Sequence, residues 1–296
     1  MSFRSRLRPL KRRAGQLLES AWSLGFGVAG RLRGAAPGRW SSVGGQRVLV
    51  VAPHPDDEAL GCAGTILLHA AAGDRVCAAI ATDGRRSRAI PDPAEMSRQR
   101  QREATEAASL MRLDRLAWIG LPEGEWSVPE LSHALGALIE EFDPGILYAP
   151  SRIDFHPEHL KVAQALALAL QARRSSPQQR LRVRVYQAQV PLTSLLTNLV
   201  ADVSAHDAQC RAALAAYVSQ SGSLLCWQRR TRYSARRHAI RQSAEEFWEM
   251  TAQRYIKLHC EPSAAWPDAF RGLRPFPLTD PLAYVVGRAE RRRLRD

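Results

Sequence analysis

Between residues 47 and 190, short β-branched or apolar runs take turns with longer segments of helical periodicity, and this alternation restricts the chain to few architectures. The apolar runs are RVLVVA (47–52), RVCAAIAT (75–82), RLAWIGL (115–121), GILYAP (145–150) and LRVRVYQAQV (181–190). Helical patterns fall near 58–72, 94–111, 128–142 and 158–173. Strand and helix in strict alternation predict an α/β fold, a Rossmann-like, mostly parallel sheet with helices on both faces. In such sheets ligands collect beyond the carboxyl ends of the strands. The Gly/Pro/Ser stretch 34–46 reads as a linker, which predicts a basic arm and linker over 1–45, a compact domain over 46–260 and a C-terminal extension with a basic tail over 261–296. The last hundred residues are less regular. DAQCRAALAAYVSQ reads as helix, SGSLLCWQRRTRYSARRHAIRQ as an arginine-rich strand or loop, and AEEFWEMTAQRYIK as helix again.

At the end of the first strand the chain runs into APHPDDE. Pro53 and Pro55 end the strand and force an extended turn, so His54, Asp56 and Asp57 stand at the mouth of the sheet. Two adjacent carboxylates repel unless something positive lies beside them, and a metal ion resolves the conflict: one aspartate ligates while its neighbour faces what the metal activates. A catalytic divalent ion usually takes three protein ligands and keeps a position open. His54 and Asp57 supply two. The fourth strand leads into SRIDFHPEH, an acid followed by His156 and His159, so a second His/Pro/acid turn opens a second helix and offers the third. Alone, His-Pro-Asp-Asp also reads as an N-capping turn; two such turns at two strand ends read as a site. His69, His133, His206, His238 and His259 have no such company and are expected on the surface or on helix faces.

VLVVAPHPDDEALGCAGTI together with HPEH resembles the PIG-L/LmbE-like zinc-dependent N-deacetylases. The resemblance extends over about 46–255 through ATDG (81–84), REATEAASLM (102–111), NLVADVS (198–204), RAALAAYVSQ (211–220) and AEEFWEM (244–250). It implies hydrolysis of an N-acetyl group from an N-acetylglucosamine-type sugar conjugate, whether lipid-, nucleotide-, thiol- or natural-product-linked. It also implies zinc, or alternatively ferrous iron, bound by His54, Asp57 and His159, with Asp56 as general base. His156 would then steady the oxyanion or protonate the departing amine. Glu58, in the first turn of the following helix, is expected to hold the loop through backbone hydrogen bonds. Tyr217 and Gln220 fall in the matched Ser-Gln helix and either approach the substrate or pack. The chain departs from the family where RRSRAI follows TDG and where Leu110-Met111 replaces Leu-Gly. Arg85, Arg86 and Arg88 thus either meet an anionic substrate group or lie in a solvated loop.

The net charge of +13 suggests nucleic acid until its distribution is considered. Runs at 4–13, 229–241 and 288–295 account for the whole excess, so the central domain is not basic and no specific nucleic acid is expected. Residues 1–30 combine such a run with Leu7, Leu10, Leu17 and Leu18 at helical spacing, which reads either as an interfacial helix on anionic membrane or as a solvated arm. The apolar stretch there is too short to span a bilayer. Five scattered cysteines suggest neither a disulfide framework nor a thiolate site, and favour a reducing compartment, the cytoplasm. Two competing functions remain open: an anionic-surface or nucleic-acid binding protein on an inherited hydrolase fold, and a zinc hydrolase of another amide or ester.

Overall fold

The computed structural model describes residues 20–22, 24–28, 37–154, 156–173, 181–220, 222–260 and 287–295. Its centre is the run Arg47–Ala52 (β2), buried along all but its first residue. A strand with no polar face must be covered on both sides, which requires helices on both sides of the sheet. β2 pairs in parallel with Arg75–Thr82 (β3) on one edge and with Ile146–Ala149 (β5) on the other. Arg115–Leu121 (β4) extends the sheet beyond β3, and Arg182–Val185 (β6) extends it beyond β5, again in parallel. Ala244–Thr251 (β8) then runs antiparallel to both β6 and Leu199–Asp202 (β7), and Gly38–Trp40 (β1) closes the far edge parallel to β7. The order is β1-β7-β8-β6-β5-β2-β3-β4.

Successive strand residues point to opposite faces. Leu49, Val51, Cys77, Ala79 and Leu147 meet the helices Val128–Phe142 (α3), Pro157–Ala172 (α4) and Ala252–Cys260 (α8). Val48, Val50, Val76 and Tyr148 meet Asp57–Ala71 (α1), Pro93–Leu110 (α2), Asp207–Ala215 (α6) and Gly222–Arg237 (α7). Local signals start these helices: Asp92 caps α2, and Ser127 and Glu130 form a reciprocal capping box on α3. The chain leaves β2 toward β3 but returns to its other side at β5. A crevice therefore opens between the carboxyl ends of β2 and β5, the topological switch point.

Several expectations are corrected. Residues 222–237 form helix α7, not a strand or loop: Cys226, Trp227, Arg230, Ser234 and Arg237 recur on its buried side, and two of these are arginines with partners inside the protein. Residues 244–251 are strand, not helix, because Glu245 and Glu246 are buried and paired on opposite faces; only from Ala252 does the chain turn helical. Gly38–Trp40, inside the stretch read as linker, is a sheet strand, and β6 stops at Val185. Of the two places open to His69 and His259, both take the helix and not the surface: His69 lies buried in α1 between Asp74 and Tyr148, and His259, buried in α8, accepts the Arg152 N–H at Nε2. Near the C-terminus, Arg288–Arg295 (α9) packs back onto the domain, with Arg291 buried and donating to Pro191 O (2.9 Å) and Leu294 in the core. Residues 1–19 of the basic arm lie outside the described residues. Among the described residues, no helix is long and apolar enough to cross a membrane.

Candidate functional site

The two proline-bearing turns project their side chains into this crevice from opposite sides. After β2 the backbone folds tightly, with the Asp57 N–H on His54 O (3.2 Å) and the His54 N–H on Asp57 Oδ2 (3.0 Å). Asp56, between them, has φ 115°, a conformation costly for a residue with a side chain. It makes no side-chain cap bond to α1, so the capping explanation of this turn fails. Glu58 Oε2 accepts the Asp56 N–H (3.2 Å), and Glu58 Oε1 accepts the Tyr217 hydroxyl.

Three donor atoms converge. Asp57 Oδ2 stands 3.2 Å from His54 Nδ1 and 3.2 Å from His159 Nε2. Donors about 2.0 Å from a tetrahedral ion stand about 3.3 Å apart, so the spacing suits a zinc-like centre. His159 Nε2 is buried without a hydrogen-bond partner, while its Nδ1 contacts Asp154 Oδ2 at 2.9 Å. That second contact fixes the ring with its Nε2 toward Asp57. His54 is flanked likewise, Glu123 Oε1 lying 3.4 Å from Nε2. The ring nitrogens of His54, His156 and His159 also lie within 4.8 Å of one another, a looser set than the one centred on Asp57. Burial would raise the Asp57 carboxyl, but His159 and His54 outweigh it and hold the group well below the usual carboxylate range. The same holds for Glu123, kept down to about 2 against burial by His54. Asp57 and Asp154 in turn raise the His159 ring to about 10 against burial, so a metal ion bound here would displace its Nε2 proton; carboxylate plus imidazole is then the chemistry of a zinc or ferrous site.

Asp56 is held differently. Its Oδ1 accepts from Arg100 Nη2 (3.1 Å) and its Oδ2 from the Ser223 hydroxyl (2.6 Å), and Arg100 also donates to Pro55 O. Burial raises the Asp56 carboxyl, Arg100 and Ser223 only partly offset this, and the Asp57 charge adds to it. Adjacent aspartates are thereby pushed apart, one fully ionised and one more basic than usual. His156 Nδ1 accepts the Glu158 N–H (3.3 Å), which leaves the ring proton on Nε2. Burial and the two neighbouring imidazoles lower its pKa to about 3, so the ring is neutral.

His54, Asp56, Asp57, His156 and His159 all line one cavity of about 460 Å³, joined at the rim by Arg86 and Gln220. Arg85 does not line it; its guanidinium turns to Asp83 (2.6 Å). Tyr217 is buried behind the site against Glu58 and does not line it either. Three contributors escaped the sequence reading of the site, Arg100, Ser223 and Glu123, and Asp154 was read only as an acid in the second turn. Glu123 follows the carboxyl end of β4 and Asp154 precedes the second histidine turn, positions that mark them in an α/β pattern. Arg100 is one of three alternating arginines in α2, and nothing local distinguishes it.

Residues 49–170 match the PIG-L family, described as GlcNAc-PI de-N-acetylase. That segment carries both histidine motifs, and over it the chain is similar to the PIG-L/LmbE-like family. The probable N-acetyl-alpha-D-glucosaminyl L-malate deacetylase 2 of Bacillus anthracis is 30% identical over 135 residues, 42% of this chain and 59% of that relative. The chain thus spans about three-fifths of the length of the curated relatives it matches. Among solved structures, the N,N'-diacetylchitobiose deacetylase of Pyrococcus horikoshii superposes with a TM-score of 0.62 at 18% identity, covering 71% of this chain and 85% of that one. The 4-carboxy-2-hydroxymuconate hydratase of Pseudomonas putida KT2440 superposes with a TM-score of 0.57 at 16% identity, covering 69% and 95%. Those two likenesses show the fold, and a fold hosts more than one chemistry.

Proposed function

We propose that the protein is a zinc-dependent hydrolase that removes the acetyl group from an N-acetylglucosamine-type sugar conjugate. The observation that carries the reading is the convergence of His54 Nδ1, Asp57 Oδ2 and His159 Nε2, with a separately tethered Asp56 lining the same cavity. The acetyl-sugar specificity is carried over from what the Bacillus relative is named for.

A zinc or ferrous ion held by His54, Asp57 and His159 would acidify a water molecule and polarise the acyl oxygen. Asp56 is the general base: its carboxylate, more basic than an ordinary aspartate, takes the proton of the attacking water. The protonated Asp56 then delivers that proton to the departing amine nitrogen, which balances the hydrolysis. Arg100 and Ser223 keep the carboxylate aimed through both steps. His156, neutral and with its proton on Nε2, donates a hydrogen bond to the developing oxyanion; of the two roles open to it, this one suits the tautomer. Arg86 and Gln220 contact the conjugate at the rim, and Glu58 supports the loop. Residues 46–260 form the catalytic unit, with β1 and α9 closing it. Its unpaired cysteines suit the cytoplasm.

The test is acetate release from N-acetylglucosaminyl conjugates carrying malate, nucleotide, inositol-lipid or thiol aglycones. Zinc-loaded, iron-loaded and chelator-stripped protein are compared. Asp56→Asn is expected to lower turnover by about 10²- to 10⁴-fold while leaving bound metal unchanged. No acetate from any N-acetyl sugar, in protein whose elemental analysis shows stoichiometric metal, would refute the reading.

A further inference from the structure

Helix α7 presents two unlike faces. Toward the interior, Ser223 and Cys226 line the cavity, Trp227 is buried, Arg230 donates to Gln187 O and Leu60 O, and Arg237 pairs with Glu246 (3.3 Å). Away from it, Leu225, Arg229, Arg232 and Arg236 follow one another at spacings of four, three and four. At 3.6 residues per turn they occupy an arc of about 60°. Leu225 is 48% exposed, Arg232 and Arg236 are exposed, and α7 contains no acidic residue. Beside this stripe rests the helical segment 24–28, its Phe26 ring 4.9 Å from that of Tyr233, leaving Leu24 72% exposed and Val28 48% exposed. Arg39, exposed and bonded to His238 O (3.2 Å), continues the positive charge past the end of α7.

We propose that this face, the outer stripe of α7 with Leu24 and Val28 beside it, docks on an anionic lipid bilayer. A face kept merely in water mixes both signs of charge, whereas the described residues of this one include arginines and aliphatic side chains and no carboxylate from α7. That pairing is what an interfacial element needs: arginines attract anionic head groups while leucine and valine enter the acyl boundary. A nucleic acid would reward the arginines but gain little from exposed aliphatics. The surface differs from the contact that the sequence suggested in residues 1–30, since its cations lie on a helix of the catalytic domain. Ser223 and Cys226, which line the cavity, lie on the other side of α7 from this stripe, so docking here orients the domain on the bilayer without pressing the cavity-lining side of the helix against it. The docking does not rest on the deacetylase reading.

The experiment is flotation of the full chain with phosphatidylcholine vesicles, with or without about one-third phosphatidylglycerol, at low and high salt. Wild-type protein should float with the anionic vesicles only, and lose most of that binding at high salt. An arginine at an anionic surface contributes about fivefold to partitioning, so Arg232→Ala/Arg236→Ala should lower it roughly 25-fold. Arg232→Gln/Arg236→Gln serves as the second variant, and both should keep the wild-type melting temperature. Leu24→Ser/Val28→Ser should weaken binding at both salt levels. Equal flotation with neutral vesicles, undiminished binding of both arginine-pair variants, or complete displacement by duplex RNA at equal phosphate would overturn the proposal. The arginine-pair variants should hydrolyse a water-soluble N-acetyl sugar at the wild-type rate, so failure of docking and failure of the hydrolase reading are read separately.

Discussion

Asp154→Asn is the substitution that most directly probes how the protein orients His159, the proposed metal ligand. Asp154 Oδ2 contacts His159 Nδ1 at 2.9 Å, while its Oδ1 accepts the N–H groups of Gln189 (3.1 Å) and Val190 (3.0 Å). An asparagine there has one oxygen and one NH₂ and must choose. Keeping its oxygen on the two backbone donors retains two hydrogen bonds; turning it toward His159 retains one and sets NH₂ against two N–H groups. At about 1 kcal/mol net per bond, and more for each buried donor left unmet, the first arrangement wins. The NH₂ then faces His159 Nδ1, which can only accept, so the neutral ring carries its proton on Nε2 and offers no lone pair beside Asp57.

Loss of such a supporting partner typically weakens metal affinity by about 10- to 100-fold, and the forced tautomer argues for the upper end, about 2.7 kcal/mol. Stability of the metal-free protein should change by less than about 1 kcal/mol, because the backbone bonds survive. Asp154→Ala abandons both N–H groups and should cost roughly 2 to 6 kcal/mol on top of the lost affinity. Competition against a chromophoric zinc chelator gives the affinity and urea denaturation of stripped protein gives the stability. Zinc affinity of Asp154→Asn within twofold of wild type would refute the reasoning, since His159 could not then be ligating through an Nε2 that Asp154 governs.

Other outcomes follow from packing and charge. A methyl at Gly64 would lie 2.4 Å from Val203 Cβ, which is fixed to the backbone, whereas one at Gly61 meets the Tyr186 ring at 2.5 Å, which can tilt. Both substitutions to alanine should destabilise by about 1 to 3 kcal/mol in urea melts, Gly64→Ala the more. Tyr217→Phe should cost about 1 to 2 kcal/mol through the lost bond to Glu58 and leave KM unchanged; a raised KM would put Tyr217 on the substrate after all. Burial would raise the Glu246 carboxyl, but Arg237, His238 and Thr197 bring it from 4.5 down to about 2. Because the folded value is depressed, the stabilisation, roughly 3 kcal/mol, is fully present above pH 4.5 and fades as pH falls toward 2. Glu246→Gln should be less stable at neutral pH and show a shallower acid limb in thermal melts.

What could be foreseen in this chain, and what could not, divides along one physical line: whether a polar residue faces water. From β2 to α4 the strand interiors are apolar and most buried charges stand in turns or at helix ends, so a period of two or of about three and a half residues identifies strands and helices with boundaries close to those observed. The same order pointed to the donors of the proposed metal site, because His54, Asp57 and His159 sit where an α/β sheet presents its ligands and their turns carry prolines. Asp154 was visible as an acid in the second turn, though not its three bonds. In the last third, charge goes inside. Arg230 and Arg237 occupy the buried side of α7, and Glu245 and Glu246 occupy β8, where Glu245 takes the N–H groups of Gly64 and Thr65 and the Trp227 indole. A pattern that equates charge with surface therefore turns α7 into loop and β8 into helix, tertiary partners having overridden propensity. The supports of Asp56 were hidden for the same reason. Ser223 opens the misread helix, and Arg100 differs from Arg98 and Arg102 only in pointing inward, where the partner that explains it is a carboxylate on another element. Buried ion pairs are written in two places at once, and neither half announces itself.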